Sequence, residues 1–171
     1  AAYMALIQEA VEESAAEHWV EARSLFREAQ EVYPNARALR GIGMTSYELR
    51  DYTGAYWALS AALSETRRAL DFEQRAQVQA LLARVNLRIA RFTVAHLGEQ
   101  LAVTVDGIRQ TLHPEGYLLM TTGEHQVTIV LTDLRRVTGR LIVRGGEEGP
   151  LPMEPLAPEL EPGAVAEAAT R

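Results

Sequence analysis

The sequence predicts an α+β chain, with about five helices over residues 1–90 and a small antiparallel, sandwich-like β-domain over 91–144. Three observations predict it. Composition changes near residue 90, from Ala, Leu, Glu and Arg with one proline, Pro34, to Val, Thr, Leu and Ile. The spacing of apolar residues changes with it, from helical to alternating. A repeat of fixed period also runs through the first part. At 171 residues the chain is one or two domains, and such a chain buries roughly 70% of its unfolded surface.

The repeat is Trp19-x-x-Ala22-x-x-x-Phe26-x-x-Ala29, matched by Tyr52-x-x-Ala55-x-x-x-Leu59-x-x-Ala62. Each matched pair is 33 residues apart (52 − 19, 55 − 22, 59 − 26, 62 − 29). A period in this range indicates stacked helical pairs. The small Ala lets a neighbouring helix approach, the bulky residue four places on fills the adjacent space, and the aromatic plugs the turn. Gly41-Ile42-Gly43 lies inside a predicted helix, where small residues permit close packing. A fifth helix is predicted from the capping box Asp71-x-x-Gln74 and one apolar stripe, Val78, Leu81, Leu82, Val85 and Ile89. It would cover the second repeat, with Arg84, Arg88 and Arg91 beside its negative end.

The second unit, with Gly43, Tyr47, Tyr52, Ala55, Leu59 and Ala62 in order, resembles a tetratricopeptide repeat. The resemblance covers about residues 3–67. The first unit keeps Trp19, Ala22, Phe26, Ala29 and the closing Pro34, but has Ala10 in place of the usual Gly, and Glu13 and Ser14 in place of an aromatic. The second has Arg67 in place of the closing Pro. The resemblance implies two helical hairpins and a concave face lined by the first helix of each. That lining would be Arg37, Arg40, Met44, Tyr47 and Glu48 from the second unit, and Met4, Ile7, Val11 and Ser14 from the first. Arg37 and Arg40, three residues apart, would converge on a carboxylate with bidentate geometry. The family's peptide-terminus clamp spreads Lys, Asn and Arg over three repeats and is not expected from two. Arg37 and Arg40 also fit a solvated face, and the fifth helix also fits the groove.

In the second part Phe92 and Val94 alternate, as do Leu101, Val103 and Val105, which stop at the turn dipeptide Asp106-Gly107. His125, Val127, Ile129 and Leu131 alternate after Gly123, and Leu141 and Val143 after Gly139. Val105-Asp106-Gly107, then Pro114, then Gly123-Glu124-His125-Gln126-Val127 is similar to a PEGA-type β-domain over about 100–144. Thr122 replaces its usual Pro, and Asp133-Leu134 its usual Gly-Tyr. Together the two resemblances imply a bacterial, periplasmic or envelope setting, while the net charge of −6 and the absence of cysteine fit a cytoplasmic one equally. Residues 145–171 hold five of the seven prolines and six Glu against one Arg, and read as a tail or linker. It would be a spacer toward a membrane segment or a ligand for another copy of the chain, hence self-association. The opening Ala1-Ala2, with no leader, reads as a processed or excised piece.

The remaining residues exclude much chemistry. Cysteine is absent, so disulfides, thiol nucleophiles and Cys-bound metals are excluded. All 17 basic residues are Arg, which excludes catalytic lysine and a Walker A loop. The net charge of −6 argues against nucleic-acid binding. No apolar run reaches the ~18 residues of a membrane span. His18, His96, His113 and His125 form no HExxH, and no Gly-x-Ser-x-Gly elbow exists. Glu9, Glu13 and Glu17, spaced by four, fit a solvated face better than a cation site. His125 reads as a partly buried strand histidine; an acid–base role would need a second titratable group within hydrogen-bond reach. No catalytic residue, metal or cofactor is expected. The expected function is a non-catalytic interaction module or scaffold of an envelope protein, holding a protein or peptide partner in the helical groove. The alternative is an accessory or sensory domain of a larger signalling or transport protein.

Overall fold

A computed structural model of the chain describes residues 2–153, apart from the side chain of Leu101. Five helices precede a β region of two sheets, an α+β fold. The chain divides into two compact units, one of residues 1–90 with 120–122 and 144–147, the other of the remainder.

In the first unit, α1 (Ala2–Ala15), α2 (Trp19–Val32), α3 (Ala36–Glu48), α4 (Tyr52–Ser64) and α5 (Phe72–Asn86) each pack on the next. Local chemistry sets their starts. Asn35, extended at φ −164°, accepts from the amides of Arg37 and Ala38 and caps α3. Asp51 caps α4 through the Gly54 amide and also accepts from Arg23 Nη1 of α2 at 3.0 Å. Asp71 and Gln74 form the reciprocal capping box of α5.

The 33-residue period extends to the backbone. α2 begins at Trp19 and α4 at Tyr52, and Ala22, Ala29, Leu59, Ala55 and Ala62 are all fully buried. The turns before them repeat bond for bond. Glu17 N–H donates to Ser14 O and His18 N–H to Glu13 O; Arg50 N–H donates to Tyr47 O and Asp51 N–H to Ser46 O. Glu17 and Arg50 share a left-handed backbone, φ 61° and 60°, at the same place in each turn. Glu17 therefore sits in the turn, off the helix that carries Glu9 and Glu13. The glycines work as close contacts: a Cβ on Gly41 would meet Phe26 Cδ1 at 2.5 Å, and one on Gly43 would meet Leu59 Cδ2 at 2.5 Å. Ala10, 33 residues before Gly43, packs with Phe26 in the same cluster.

Where the closing proline is missing, the Glu65 carboxylate accepts from the amide, Nε and Nη2 of Arg67. These bonds hold its pKa down to about 2. The Arg67 carbonyl accepts from Ala36 N–H, tying the loop to the start of α3.

The α5 stripe buries Val78 and Val85, but the helix ends at Asn86 rather than continuing to Ile89. The last turn tightens, with Leu87 and Arg88 amides donating to Arg84 and Val85 carbonyls, and the β-branched Ile89 begins β1 (Ile89–Thr93). Only Arg84 lies in the last helical turn; Arg91 is on β1, ion-paired with Glu148.

In the β region, β2 (Gln100–Val105), β3 (Ile108–Gln110), β5 (Gly123–Leu131) and β6 (Arg136–Val143) form an antiparallel sheet in the order β3-β2-β5-β6. Asp106 and Gly107, φ 51° and 80°, make the two-residue turn between β2 and β3, with both residues left-handed as a type I′ turn requires. Val103, Val105, Val127, Ile129, Leu131, Val137, Leu141 and Val143 are buried, so alternation marks the inner face. β4 (Tyr117–Thr121) does not alternate, because Leu118, Leu119 and Met120 are all buried. The order of the second sheet is β4-β1-β7, where β7 is Glu148–Pro150 and pairs parallel with β1. The segment read as a tail therefore enters the fold through residue 153. Leu151 and Met153 are buried, and Met153 Cε fills the space beside Gly139. The rest of that segment lies outside the described residues.

Candidate functional site

The first helix of each hairpin supplies one wall of a groove of about 440 Å³ in the helical unit. Met4, Ile7, Val11 and Ser14 come from α1; Arg37, Arg40, Met44 and Glu48 come from α3. Steps of three and four residues put each set on one helix face. Met4 and Arg37, Ile7 and Arg40, and Val11 and Met44 are each one period apart. The repeat thus places apolar side chains on one wall where the other carries two arginines. Phe26 and Gly41 complete the floor, since the bare Cα of Gly41 admits the Phe26 ring.

Tyr47 does not line the groove. Its ring lies edge-on to Tyr52, 5.7 Å between centroids at 67°, half-buried at the α3–α4 turn, an aromatic pairing made outside the groove. α5 does not fill the groove either. It packs on α4 and contributes only Gln74 at the rim.

Sequence periodicity missed Arg68 and Tyr3. Arg68, at φ 45° in the loop after α4, places its guanidinium 5.0 Å from the Tyr3 ring centroid and Nη1 3.9 Å from Met4 Sδ. Tyr3 Oη donates to Asn35 Oδ1 at 3.2 Å, so the α3 cap anchors the ring beneath Arg68. No short-range signal marks this loop, because its partner lies 64 residues earlier.

Electrostatically the groove is cationic within an acidic chain. Three arginines face one glutamate, and among the described residues no carboxylate forms an ion pair with Arg37, Arg40 or Arg68. Arg40 Nη2 donates to Gln77 Oε1 at 2.5 Å, while its buried Nε has no acceptor among the described residues. Burial pulls the Arg40 pKa below its ordinary value, against the opposing pull of Asp71 and Glu73.

A second, shallower depression of about 320 Å³ is lined by Asp106, Glu124, His125, Gln126 and Arg140. His125 Nδ1 lies 2.7 Å from Asp106 Oδ2, and Asp106 Oδ1 accepts from the Gln126 amide at 2.8 Å. The His125 side chain is 13% exposed. This is the titratable partner an acid–base role needs, yet the lining holds no hydroxyl nucleophile, and the Asp106 carboxylate pins the β2–β3 turn onto β5. The bond to His125, then the Gln126 amide, hold the Asp106 pKa below the usual carboxylate range. A depressed carboxylate pKa stabilises the fold above the unfolded value, and that contribution is lost as pH falls through the folded value. In urea unfolding across pH 2–6, Asp106→Asn is expected to flatten this acid-side loss while keeping the left-handed turn; parallel profiles for both proteins would exclude it.

The other histidines do not converge. His18 pairs with Glu13 at 2.6 Å, His113 stacks on Tyr117 at 4.1 Å, and His96 lies in a 3-10 turn, Ala95–Leu97. Among the described residues no three His, Asp or Glu are placed to hold a metal ion, and no helix is long and apolar enough to cross a membrane. No family model, curated protein or solved structure matches the chain.

Proposed function

We propose that the chain is a non-catalytic protein-interaction module, a tetratricopeptide-like scaffold of a bacterial envelope protein, whose groove holds a segment of a protein partner. The groove carries the reading: a preformed channel with exposed Met4, Val11 and Met44 on its walls and arginines free of ion pairs among the described residues. Burying exposed apolar side chains supplies the driving force, and the arginines select carboxylate-bearing segments over basic ones. Because the walls are helices braced by buried Ala10, Phe26, Ile42 and Ala58, little ordering opposes binding.

Selection of displayed random peptides on the full chain tests this. The expected sequences combine Leu, Met or aromatic residues with Asp or Glu. Met44→Glu, at a position 41% exposed, should weaken them about ten-fold without unfolding the protein. Arg37→Ala combined with Arg40→Ala should weaken acidic sequences and spare neutral ones. Binders indifferent to both changes would place recognition elsewhere.

The His125–Asp106 pair favours a second reading, an acid–base site in the β region. A reaction lost in His125→Gln and retained in Met44→Glu would support it over the first.

A further inference from the structure

We propose that the outward face of α5 is a self-association surface, on which α5 of a second copy of this chain docks antiparallel to make a two-fold dimer. The repeat identifies the face. Ala10 and Gly43, one period apart, are the small positions where each hairpin takes in its second helix. Ala10 packs with Phe26, and a Cβ on Gly43 would meet the Leu59 side chain. One period further on stands Ala76, on α5. No second helix follows to pair with α5, because the chain enters β1 at Ile89. The side of α5 that packs on α4 is the opposite one, which buries Val78 and Val85. On the side of Ala76 lie Phe72, Ala83 and Leu87, in steps of four, seven and four along the chain, which fall on one helix face. Phe72 is 90% and Leu87 70% exposed, and both alanines are exposed. Removing this apolar area from water is favourable.

Two features select a second copy as the occupant. The first is size. Phe72 stands as far before the middle of α5 as Leu87 stands beyond it, and Ala76 and Ala83 are likewise equidistant from that point. In an antiparallel pair, Phe72 meets Leu87 of the second copy and Ala76 meets its Ala83. The alanines let the helix axes approach, and the large side chains close the two ends. The second is charge. A two-fold axis sets like flanks of the two helices side by side. Glu73 and Arg84 share one flank of the stripe, so each Glu73 comes within a helical turn of Arg84 of the second copy, twice in the dimer. Neither residue forms an ion pair among the described residues. Antiparallel docking is also the geometry that both helical hairpins use at this face of their first helices.

A helix of 15 residues is about 22 Å long, a contact well short of an obligate interface. The dimer is therefore expected to be reversible, with a dissociation constant of about 1–100 µM.

Sedimentation equilibrium of the full chain from about 1 to 500 µM tests this, and should show monomer passing to dimer and no further. Phe72→Ser and Leu87→Ser, both at exposed positions, should each weaken association at least about five-fold and leave circular dichroism melts unchanged. Charge reversal tests the pairing. Glu73→Arg and Arg84→Glu should each weaken self-association, and an equimolar mixture of the two variants should associate at least about five-fold more tightly than either alone. Glu73 also accepts from Gln77 Nε2 at 3.2 Å and its charge acts on Arg40, so the mixture is the decisive measurement. A chain still monomeric at about 500 µM, a dimer indifferent to Phe72→Ser and Leu87→Ser, or reversed charges that do not recover on mixing would overturn the proposal. The groove reading stands or falls separately.

Discussion

Asn35→Ala is expected to destabilise the helical unit by about 3 kcal/mol. Asn35 is fully buried and acts as a polar hub. Its Oδ1 accepts from the Arg37 and Ala38 amides and from Tyr3 Oη, while its Nδ2 donates to Tyr33 O at 2.6 Å and its amide to Gln30 Oε1. Loss of the cap alone costs about 1 kcal/mol, and stranding a buried hydroxyl and carbonyl adds about 1–3 kcal/mol. Asn35→Ser restores an acceptor for the helix amides but cannot donate as Nδ2 does, so it should recover about a third of the loss. Urea unfolding followed by tryptophan fluorescence measures this directly, because both tryptophans, Trp19 and Trp57, lie in the helical unit. A loss under about 1 kcal/mol would show that water replaces the hub. Since Asn35 also holds Tyr3 beneath Arg68, Asn35→Ala should loosen that end of the groove.

Leu59→Ala is expected to cost about 3–4 kcal/mol, the range for emptying a fully buried leucine site. The more discriminating experiment pairs it with Gly43→Ala. Alone, Gly43→Ala sets a gain of about 1 kcal/mol in helix propensity against overpacking of about 1–3 kcal/mol, because its Cβ would meet Leu59 Cδ2 at 2.5 Å. With Leu59 shortened, the 2.5 Å clash with its side chain disappears, only the 3.2 Å approach to its backbone nitrogen remains, and the propensity gain is kept. The double variant should therefore be more stable than the sum of the single changes by at least about 1 kcal/mol. Strict additivity would show that the two helices do not meet at this contact. Equivalent logic predicts weaker coupling between Ala10 and Phe26, where the first hairpin already accommodates a Cβ.

The helical unit was legible because its information is local and repeated. Trp19, Ala22, Phe26 and Ala29 recur as Tyr52, Ala55, Leu59 and Ala62, and Asp71 with Gln74 makes a cap readable within four residues. Even so, the closest structural equivalence was invisible. Glu17 and Arg50 have opposite charges, yet share one left-handed conformation and one pattern of turn bonds, because the backbone rather than the side chain carries that part of the repeat. In the β region, alternation revealed β2, β5 and β6, whose outer faces meet water, but not β4, where Leu118, Leu119 and Met120 are all buried and leave no polar interval. The composition of residues 145–153 suggested only a tail, since a three-residue strand paired through its backbone has little side-chain signature.

The groove divides the same way. Helical spacing determines which residues share a face, but it was the tetratricopeptide resemblance that implied which face lines the groove, with Met4, Ile7 and Val11 on one wall and Arg37, Arg40 and Met44 on the other. Tertiary packing alone sent Tyr47 to Tyr52, left α5 at the rim, brought Arg68 onto Tyr3 and left Arg40 Nε without an acceptor among the described residues. Periodicity reports direction around a single helix axis. Which aromatic finds a ring partner, and which donor goes unmet, depends on distances between segments far apart in the chain, and those are settled only when the helices close on one another.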